Sequence, residues 1–244
     1  MDNLSILAAG GLKTRMDALD LLANNIANAS TPGFKADREF YSVYASTDAL
    51  EGGEPQVIPD VSRKWTDFSQ GSLTATGNPL DLAISGAGFF AVKSAGDTLL
   101  TRNGSFHLSA AGELQTAEGH PVTGLDGKLI RLDPREPLTV APDGTISQGS
   151  QPVGKLDIVD VARPQELSKE GSGFFRLSDV ASLRKAVTGS SIQQGRIEGA
   201  NLAPSEAAVR LVSVMRQFEM LQRAASIGAD MNKHAVEEVA RVGN

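Results

Sequence analysis

Three histidines are the side chains best suited to acid–base or metal chemistry in this chain, and their spacing supports neither. His107, His120 and His234 lie far apart, and none stands at metal-ligand spacing from another or from a matching set of carboxylates. The absence of cysteine excludes thiolate zinc sites, disulfides and cysteine nucleophiles. A Gly-x-Ser-x-Gly nucleophile elbow and a Walker A loop are also missing from the sequence. We therefore predict no catalytic residues, no metal and no enzymatic activity.

One glycine string matches a cofactor motif but stands in the wrong context. Gly86-x-Gly88-x-x-Ala91 fits the loose dinucleotide fingerprint, which requires a following helix whose N-terminus faces the phosphates. The string Phe89-Phe90-Ala91-Val92 is instead typical of a strand. We therefore predict no nucleotide cofactor.

The charge of the chain limits its partners. A net charge of −6 over 244 residues argues against nucleic-acid binding, which needs a basic patch to displace counterions. Residues 1–30 carry −1, residues 204–244 carry zero, and the middle therefore carries −5. Weakly charged ends can approach copies of themselves without strong repulsion. Because no apolar stretch approaches the length of a transmembrane helix, we predict no membrane insertion. These general rules alone predict a cytoplasmic protein.

Both ends of the chain show the spacing of helices with an apolar seam. A first helix is predicted over residues 3–28, and it stops near Ser30 because Pro32 disfavours helical geometry at the residue before it. Pro32-Gly33 fits the central pair of a type II turn. A second helix is predicted from Pro204 to about Lys233. The seams step by three and four residues, and they comprise Leu12, Met16, Leu19, Ala23 and Ile26 in the first helix and Leu211, Val214, Phe218, Leu221 and Ala225 in the second.

The region between the helices is predicted to be β-structure. Short apolar or alternating runs are separated by turn signals at Asn78-Pro79, Asn103-Gly104, Asp126-Gly127 and Asp143-Gly144. Among these, Asn103-Gly104 is the predicted hairpin. The strings at 86–90 and 171–175 are near copies, which predicts two matching strand entries in one sheet. The predicted fold class is therefore α+β. Its predicted segments are a helix at 1–33, an extended or β linker at 34–75, a mainly antiparallel β domain at 76–203 and a second helix at 204–244.

Neither terminal helix has a helical neighbour in the sequence. If the two helices pair, each seam is covered in part, and the remainder is left for copies from neighbouring subunits. The alternative is that both helices pack on the β region of the same chain. Periodicity does not decide between the two arrangements.

A continuous string at residues 24–35, Asn-Asn-Ile-Ala-Asn-Ala-Ser-Thr-Pro-Gly-Phe-Lys, strongly resembles the N-terminal signature of flagellar rod and hook proteins. Three further stretches, at 76–92, 101–122 and 198–220, are similar to the same family in the same order. The resemblance thus spans nearly the whole chain. Within the family, the string Arg216-Gln217-Phe218-Glu219-Met220 is more similar to proximal than to distal rod members, and a distal rod protein is the alternative.

The resemblance implies a structural subunit of the flagellar basal-body rod, a hollow axial shaft that transmits torque. It implies that the terminal helices pair as a coiled coil and pack between copies of the chain and other rod proteins, with the β domain facing outward. It also implies unfolded export by the flagellar type III apparatus without a cleaved signal, which replaces the cytoplasmic prediction. The implied assembly residues are those of the two seams together with Asn28, Pro32 and Gly33. A secreted β-domain adhesin and a periplasmic hydrolase are the alternatives from other classes.

Overall fold

The chain forms two compact units, which are described separately. The computed structural model describes residues 3–45, 57–94, 96–171, 173–176, 184–185 and 189–242. The helical unit comprises residues 1–27, 37–65 and 203–244, and the β unit comprises residues 28–36 and 66–202. The predicted linker at 34–75 is thus divided between the units, and its residues 46–56 lie outside the described part of the chain.

Two long helices and a two-stranded sheet make up the helical unit. Helix α1 spans Asn3–Ala27, strands β1 and β2 span Asp37–Ala45 and Val57–Thr66, and helix α2 spans Pro204–Val242. The end of α1 confirms the prediction. Helix α2 continues past Lys233 to Val242, within the predicted helical segment 204–244, and residues 234–242 contain neither proline nor glycine. Over the described residues, neither helix combines the length and hydropathy needed to cross a membrane.

The strands of the β unit are short and pair antiparallel, as predicted. In chain order these strands are β3 (Leu73–Ala75), β4 (Leu82–Ser85), β5 (Phe89–Ser94), β6 (Asp97–Thr101), β7 (Phe106–Leu108), β8 (Leu114–Thr116), β9 (Leu138–Val140), β10 (Thr145–Gln148), β11 (Gln151–Lys155), β12 (Ile158–Val161), β13 (Ser168–Glu170), β14 (Phe174–Arg176), β15 (Arg184–Lys185), β16 (Ser191–Gln194) and β17 (Arg196–Glu198). Six of them form one sheet in the order β13-β14-β6-β5-β12-β15, and β11-β10-β9 form another, beside the pairs β16-β4, β17-β3 and β7-β8.

The central strands of the six-stranded sheet are buried on both faces. Along β5, Phe90 and Val92 enter one apolar core, whereas Phe89 and Ala91 enter a second core on the other side. Successive residues of a strand point to opposite faces of the sheet. Where both faces are covered by apolar cores, every position of the strand favours an apolar side chain. This explains the unbroken apolar run at 89–92, and it confirms that a strand rather than a helix follows Gly88.

The predicted hairpin and another of the turn signals have different outcomes. Asp143-Gly144 connects the paired strands β9 and β10, and Gly144 has a φ of 85°. The prediction at Asn103-Gly104 is wrong, since β6 and β7 pair with other strands. At Gly104 the backbone instead approaches β4 so closely that a Cβ would stand 1.6 Å from the Leu82 carbonyl oxygen. The glycine therefore allows a close approach between segments that are not neighbours in sequence.

The two similar strings at 86–90 and 171–175 do lie in one sheet. They lead into β5 and β14, which flank β6 on its two sides. Phe90 and Phe174 both stand opposite Thr101, and Phe175 stands opposite Leu100. The two strands therefore flank a shared neighbour without pairing directly with each other, and their registers differ by one residue relative to the matching strings.

Candidate functional site: a buried ion cluster and two helix faces

The turn after α1 brings residues 33–36 into the β unit. Gly33 has a φ of 69°, the left-handed value that the predicted type II turn requires at this position. Its N–H donates to the carbonyl oxygen of Glu198 at 2.7 Å. The preceding residues end the helix, with the Thr31 N–H donating to the Asn28 carbonyl oxygen at 3.0 Å. Asn28, Pro32 and Gly33 thus set the direction in which the chain leaves α1.

The carboxylate of Glu198 is the shared acceptor of this region. Its side chain is fully buried, and Oε1 accepts hydrogen bonds from Lys35 Nζ at 2.6 Å and from the Gly71 N–H at 2.9 Å. Oε2 accepts from Arg102 Nη1 at 3.1 Å. The side chains of Lys35 and Arg102 are 0% and 5% exposed. One carboxylate therefore pairs with two buried cations, and we call Lys35, Arg102 and Glu198 the clasp.

Neighbouring backbone segments accept the other hydrogen bonds of the two cations. Lys35 Nζ donates to the carbonyl oxygen of Ser69 at 2.7 Å. Arg102 Nη2 donates to the carbonyl oxygen of Gly86 at 2.7 Å, and the guanidinium carbon lies 5.3 Å from the centre of the Phe89 ring. The Nε of Arg102 makes no hydrogen bond within the described part of the chain. The two cations therefore connect the backbone at Ser69 and at Gly86 to the carboxylate of Glu198.

Burial lowers the pKa of Lys35 and the pKa of Arg102, because loss of water disfavours their charged forms. The carboxylate of Glu198 opposes this effect at both residues, through charge attraction and through its hydrogen bonds. The two cations also repel each other, which lowers the pKa of Lys35 further. Because the clasp carries an excess of positive charge in a buried place, its stability depends on Glu198.

One asparagine in each unit binds backbone groups with its side-chain amide. In the β unit, Asn201 Oδ1 accepts from the Ala36 N–H at 2.8 Å, and Nδ2 donates to the Asp67 carbonyl oxygen at 2.7 Å. In the helical unit, Asn25 binds both backbone groups of Asp37: Oδ1 accepts from its N–H at 3.0 Å and Nδ2 donates to its carbonyl at 2.8 Å. Each side-chain amide thus accepts from a backbone N–H and donates to a backbone carbonyl, as a neighbouring strand in a sheet would.

The clasp joins the segments through which the chain passes between its two units. The polypeptide crosses from one unit to the other after residues 27, 36, 65 and 202. Residues 33–36, 67–71 and 198–201 adjoin these crossings, and they bind one another inside the β unit. Besides the bonds above, the Asp67 N–H donates to the Ala36 carbonyl at 2.9 Å, and the Asn201 N–H donates to the Phe34 carbonyl at 3.3 Å.

The close approach at Gly33 gives a first prediction. A Cβ on Gly33 would stand 2.3 Å from the Asn103 nitrogen, and the left-handed φ disfavours any side chain. We expect Gly33→Ala to lower the free energy of unfolding by more than the roughly 1–2 kcal/mol of the φ strain alone, measured by urea denaturation of the full chain. Gly127→Ala is the matched control, since Gly127 has a φ of 73° and nothing within 4 Å of its Cβ position. Equal losses for the two variants would contradict a tight contact at Gly33.

Within the helical unit, α1 and α2 pack antiparallel. Ala18 and Leu22 form a buried cluster with Val214, whereas Gly11 lies farther along, at Leu221. A Cβ on Gly11 would be 3.3 Å from a methyl carbon of Leu221, so the glycine allows the helices to approach closely there. The helices therefore do pair within one chain, and coiled-coil geometry stays a prediction.

On α1, the residues that are buried lie about one position earlier in the sequence than the residues of the predicted seam. Leu19 packs at the edge of the helix–helix cluster, Leu12 and Ile26 are half-buried, Ala23 is exposed and Met16 is 54% exposed. Each residue of a helix is rotated about 100° from the one before, so a shift of one residue selects a different face. Small and polar residues occupy much of the buried face. A search for large apolar residues at helical spacing does not find them. The buried positions are Gly11, Thr14, Ala18, Leu21, Leu22 and Asn25.

The predicted seam of α2 lies on its more buried face. Val214 is buried, and Leu211, Phe218, Leu221 and Ala225 are half-buried. A second apolar stripe lies on the opposite side of the helix, where its members are between 49% and 72% exposed. These residues are Val209, Val212, Met220, Ile227 and Met231. Whether the predicted seam residues contact other subunits stays a prediction, because such contacts involve further chains.

A cavity beside β14 is the place where acid–base chemistry could be expected. It is lined by Glu118, His120 and Glu170, among other residues. Arg176 binds both carboxylate oxygens of Glu170 at 2.8 Å and thereby lowers the pKa of that carboxyl group. Glu170 is therefore ionised at neutral pH and is poorly suited to act as a general acid. Over the described residues, no group of three or more histidine or acidic side chains is arranged to hold a metal ion.

Sequence reasoning assigned no role to Lys35, Arg102 or Glu198. Each of them lies inside one of the strings that carry the family resemblance. The available signal was that each is the single charged residue of a short stretch, at 24–35, 101–106 and 198–202, with one sign opposed to the other two. That signal predicts an ion cluster only when the fold brings the strings together.

The chain combines paired terminal helices with an antiparallel β unit, and two models of known protein families match its sequence. The family model "Flagella basal body rod protein" matches residues 7–35, which end at Lys35 of the clasp. The model "Flagellar hook protein FlgE/F/G D1 domain" matches residues 83–148, which include Arg102. The chain belongs to the flagellar basal-body rod protein family.

Within this family the chain is most like the FlgF members. The flagellar basal-body rod protein FlgF of Caulobacter vibrioides is 34% identical over 99% of this chain and 100% of the relative. FlgF of Salmonella typhimurium is 33% identical over 90% of this chain and 91% of the relative. FlgG of Bacillus subtilis is 29% identical over 86% of this chain and 88% of the relative. The predicted preference for a proximal, FlgF-like protein over a distal, FlgG-like protein is thereby confirmed.

Proposed function

We propose that the chain is a non-enzymatic structural subunit of the flagellar basal-body rod, which polymerises through α1 and α2 and transmits torque. The relatives are named as flagellar basal-body rod proteins, and the chain aligns with them along nearly its full length. The proposal includes contacts with copies of itself and with other rod proteins. It also includes export through the flagellar type III apparatus without a cleaved signal, as the family resemblance implies.

The observation that carries the proposal is the second apolar face on each terminal helix. Met16 and Ala23 on α1 are exposed beside half-buried Leu12, and the stripe from Val209 to Met231 on α2 lies opposite the face that binds α1. A monomeric globular protein rarely exposes contiguous apolar surface of this kind. Helices that are apolar on two sides are expected to have a neighbour on each side. Within one chain, only one of the two faces is covered by the other helix.

The clasp supports the torque-transmitting part of the proposal. Every covalent link between the helical unit and the β unit adjoins residues 33–36, 67–71 or 198–201, or lies in the short turn before them. A force carried along the polypeptide from the helices therefore enters the β unit close to Lys35, Arg102 and Glu198. Buried, hydrogen-bonded charges resist sliding more strongly than apolar contacts do, because displacement leaves them unpaired.

The proposal is tested by charges placed on the exposed stripe of α2. Val212→Asp and Ile227→Asp replace side chains that are 49% and 60% exposed, so each variant should fold as a single chain. A buried carboxylate without a partner would then oppose packing between subunits. We expect cells that carry either variant as their only copy to lose swimming in soft agar, and we expect no rods in isolated basal bodies.

Leu125→Asp is the matched control, because Leu125 is 61% exposed but lies in the β unit. It should leave swimming unchanged. Normal swimming with both Val212→Asp and Ile227→Asp would contradict polymerisation through this face. An adhesin, the alternative from another class, would keep its binding to surfaces in all three variants.

A further inference from the structure

We propose that residues 190–201 act as a closing strap: the β unit is stable only when this stretch is in place, and the rest of the unit stays open without it. The stretch, which we call the strap, comprises β16, β17 and the residues that flank them. The alternative is that the remainder of the β unit folds by itself and the strap is added afterwards as a peripheral ribbon. The inference goes beyond the proposed function, because it concerns how a single chain folds.

The first two strands of the β unit depend on the strap for their pairing. In the part of the chain that the structure describes, β3 pairs with β17 alone, and β4 pairs with β16 alone. The Thr76 N–H, directly after β3, donates to the Gly195 carbonyl oxygen at 2.8 Å, 119 positions further along the chain. Because backbone groups that leave water need hydrogen-bond partners, β3 and β4 form as strands only when the strap lies beside them.

The strap also closes the larger apolar core. Ile192 is 5% exposed and lies in the same buried cluster as Leu82, Phe90 and Leu156. Its N–H donates to the Pro142 carbonyl oxygen at 2.9 Å, which joins the strap to the turn between β9 and β10. Without the strap, the cluster loses Ile192 and the strand partner of β4, so apolar surface returns to water.

One side chain of the strap connects two distant parts of the β unit. The Oε1 atom of Gln194 accepts a hydrogen bond from the Val140 N–H at 3.0 Å. Its Nε2 atom donates to the carbonyl oxygens of Leu138 and Pro79, both at 3.0 Å. Leu138 and Val140 belong to β9, whereas Pro79 precedes β4. The strap therefore holds β9 beside the beginning of the unit.

The strap contributes the negative charge of the clasp. Glu198 follows Lys35 by 163 positions and Arg102 by 96 positions. Among the described residues, Glu198 is the carboxylate within salt-bridge distance of these two buried cations. Burial of two cations without a counter charge is strongly unfavourable. The chain is therefore prevented from closing around Lys35 and Arg102 before Glu198 is in place.

The position of the strap in the sequence sets the order of folding. Proteins are synthesised from the N-terminus, so residues 190–201 are the last part of the β unit to become available. Until then, β3 and β4 have no strand partners, and Lys35 and Arg102 have no counter charge. An open chain suits the export in unfolded form proposed above, and this consequence alone rests on the proposed function.

Native-state hydrogen exchange of the full chain in low urea tests the inference. The reporters in the strap are the amides of Ile192, Gly195 and Gly199, and the reporters outside it are those of Val122 and Thr123. We expect all five amides to exchange through one global opening, with the same urea dependence and with protection equal within about tenfold. Strap amides that exchange more than about tenfold faster, with a weaker urea dependence, would show that the rest stays folded and would overturn the inference.

Glu198→Gln gives a second readout in the same experiment. We expect exchange at Val122 and Thr123 to accelerate about 100-fold or more, by the same factor as in the strap. Glu113→Gln, at a surface ion pair, should accelerate both sets less than about tenfold. Acceleration by Glu198→Gln in the strap alone would refute the closing role.

If Glu198→Gln leaves no protected amide, the comparison in the unchanged chain decides by itself. These outcomes are separate from those of Val212→Asp and Ile227→Asp. Exchange reports the folding of one chain, whereas swimming and isolated rods report the proposed function.

Discussion

Glu198→Gln should lower the free energy of unfolding of the β unit by about 3–5 kcal/mol, the usual cost of removing one partner from a buried ion pair. The substitution keeps the shape of the side chain, but Lys35 and Arg102 then share a buried place without a counter charge. The expected measurement is a shift of the urea unfolding midpoint of the full chain, followed by circular dichroism. The glutamine oxygen can replace Oε1 as the acceptor for Lys35 and the Gly71 N–H, but its NH2 group then faces Arg102 Nη1, so the loss includes the charge and this one hydrogen bond.

Glu113→Gln is the control for this prediction. Glu113 binds Arg131 at 2.7 Å, but the Arg131 side chain is 71% exposed, and such surface pairs contribute about 0–1 kcal/mol. A chain with Lys35→Met, Arg102→Met and Glu198→Leu together should recover most of the lost stability, because apolar replacement of a whole buried ion cluster is often tolerated. If Glu198→Gln costs no more than Glu113→Gln, the clasp does not stabilise the β unit.

Leu22→Asp should abolish rod assembly, even though it lies on the face of α1 that is covered within the chain. Leu22 is 3% exposed and packs with Ala18 and Val214. Exchanging a buried leucine for a carboxylate removes roughly 2–5 kcal/mol of packing and adds an unpaired charge. We expect the helices to separate, so that neither presents its outer face in the correct place. Swimming and isolated basal bodies measure the effect.

Leu22→Met is the conservative control, since it keeps the volume and should cost less than about 1.5 kcal/mol. Limited proteolysis distinguishes the site of the damage: residues 66–171 should remain resistant in Leu22→Asp, because they belong to the other unit. Normal rods in Leu22→Asp would show that the α1–α2 pairing within one chain is not needed for assembly. The prediction thereby complements Val212→Asp, which leaves the pairing within the chain unchanged.

The outer helix faces and the clasp are expected to have different roles, in assembly and in stability respectively. The outer helix faces contain large exposed apolar residues, which suits association with a second copy. The clasp is built from buried charges and backbone hydrogen bonds, which suits a permanent joint within one chain. A substitution at Met16 or Val212 should therefore change assembly without changing stability, whereas a substitution at Glu198 should change stability first.

The sequence by itself determined the terminal helices, the antiparallel β-structure between them and the membership of the rod family. The end of α1 shortly before Pro32 and the start of α2 at Pro204 follow from local backbone chemistry. Apolar runs such as 89–92 follow from burial on both sides of a strand. Gly33 was also predictable, since a type II turn needs a left-handed residue. These properties depend on residues that are close together in the chain.

Only the tertiary structure decided which faces meet and which charges are paired. The buried face of α1 includes Gly11 and Thr14 because α2 approaches closely there, and an apolar count along one helix does not contain its partner. Asn103-Gly104 looks like a hairpin but allows β4 to pass nearby. Lys35, Arg102 and Glu198 are far apart in sequence, so their shared burial becomes visible only when the chain closes on itself.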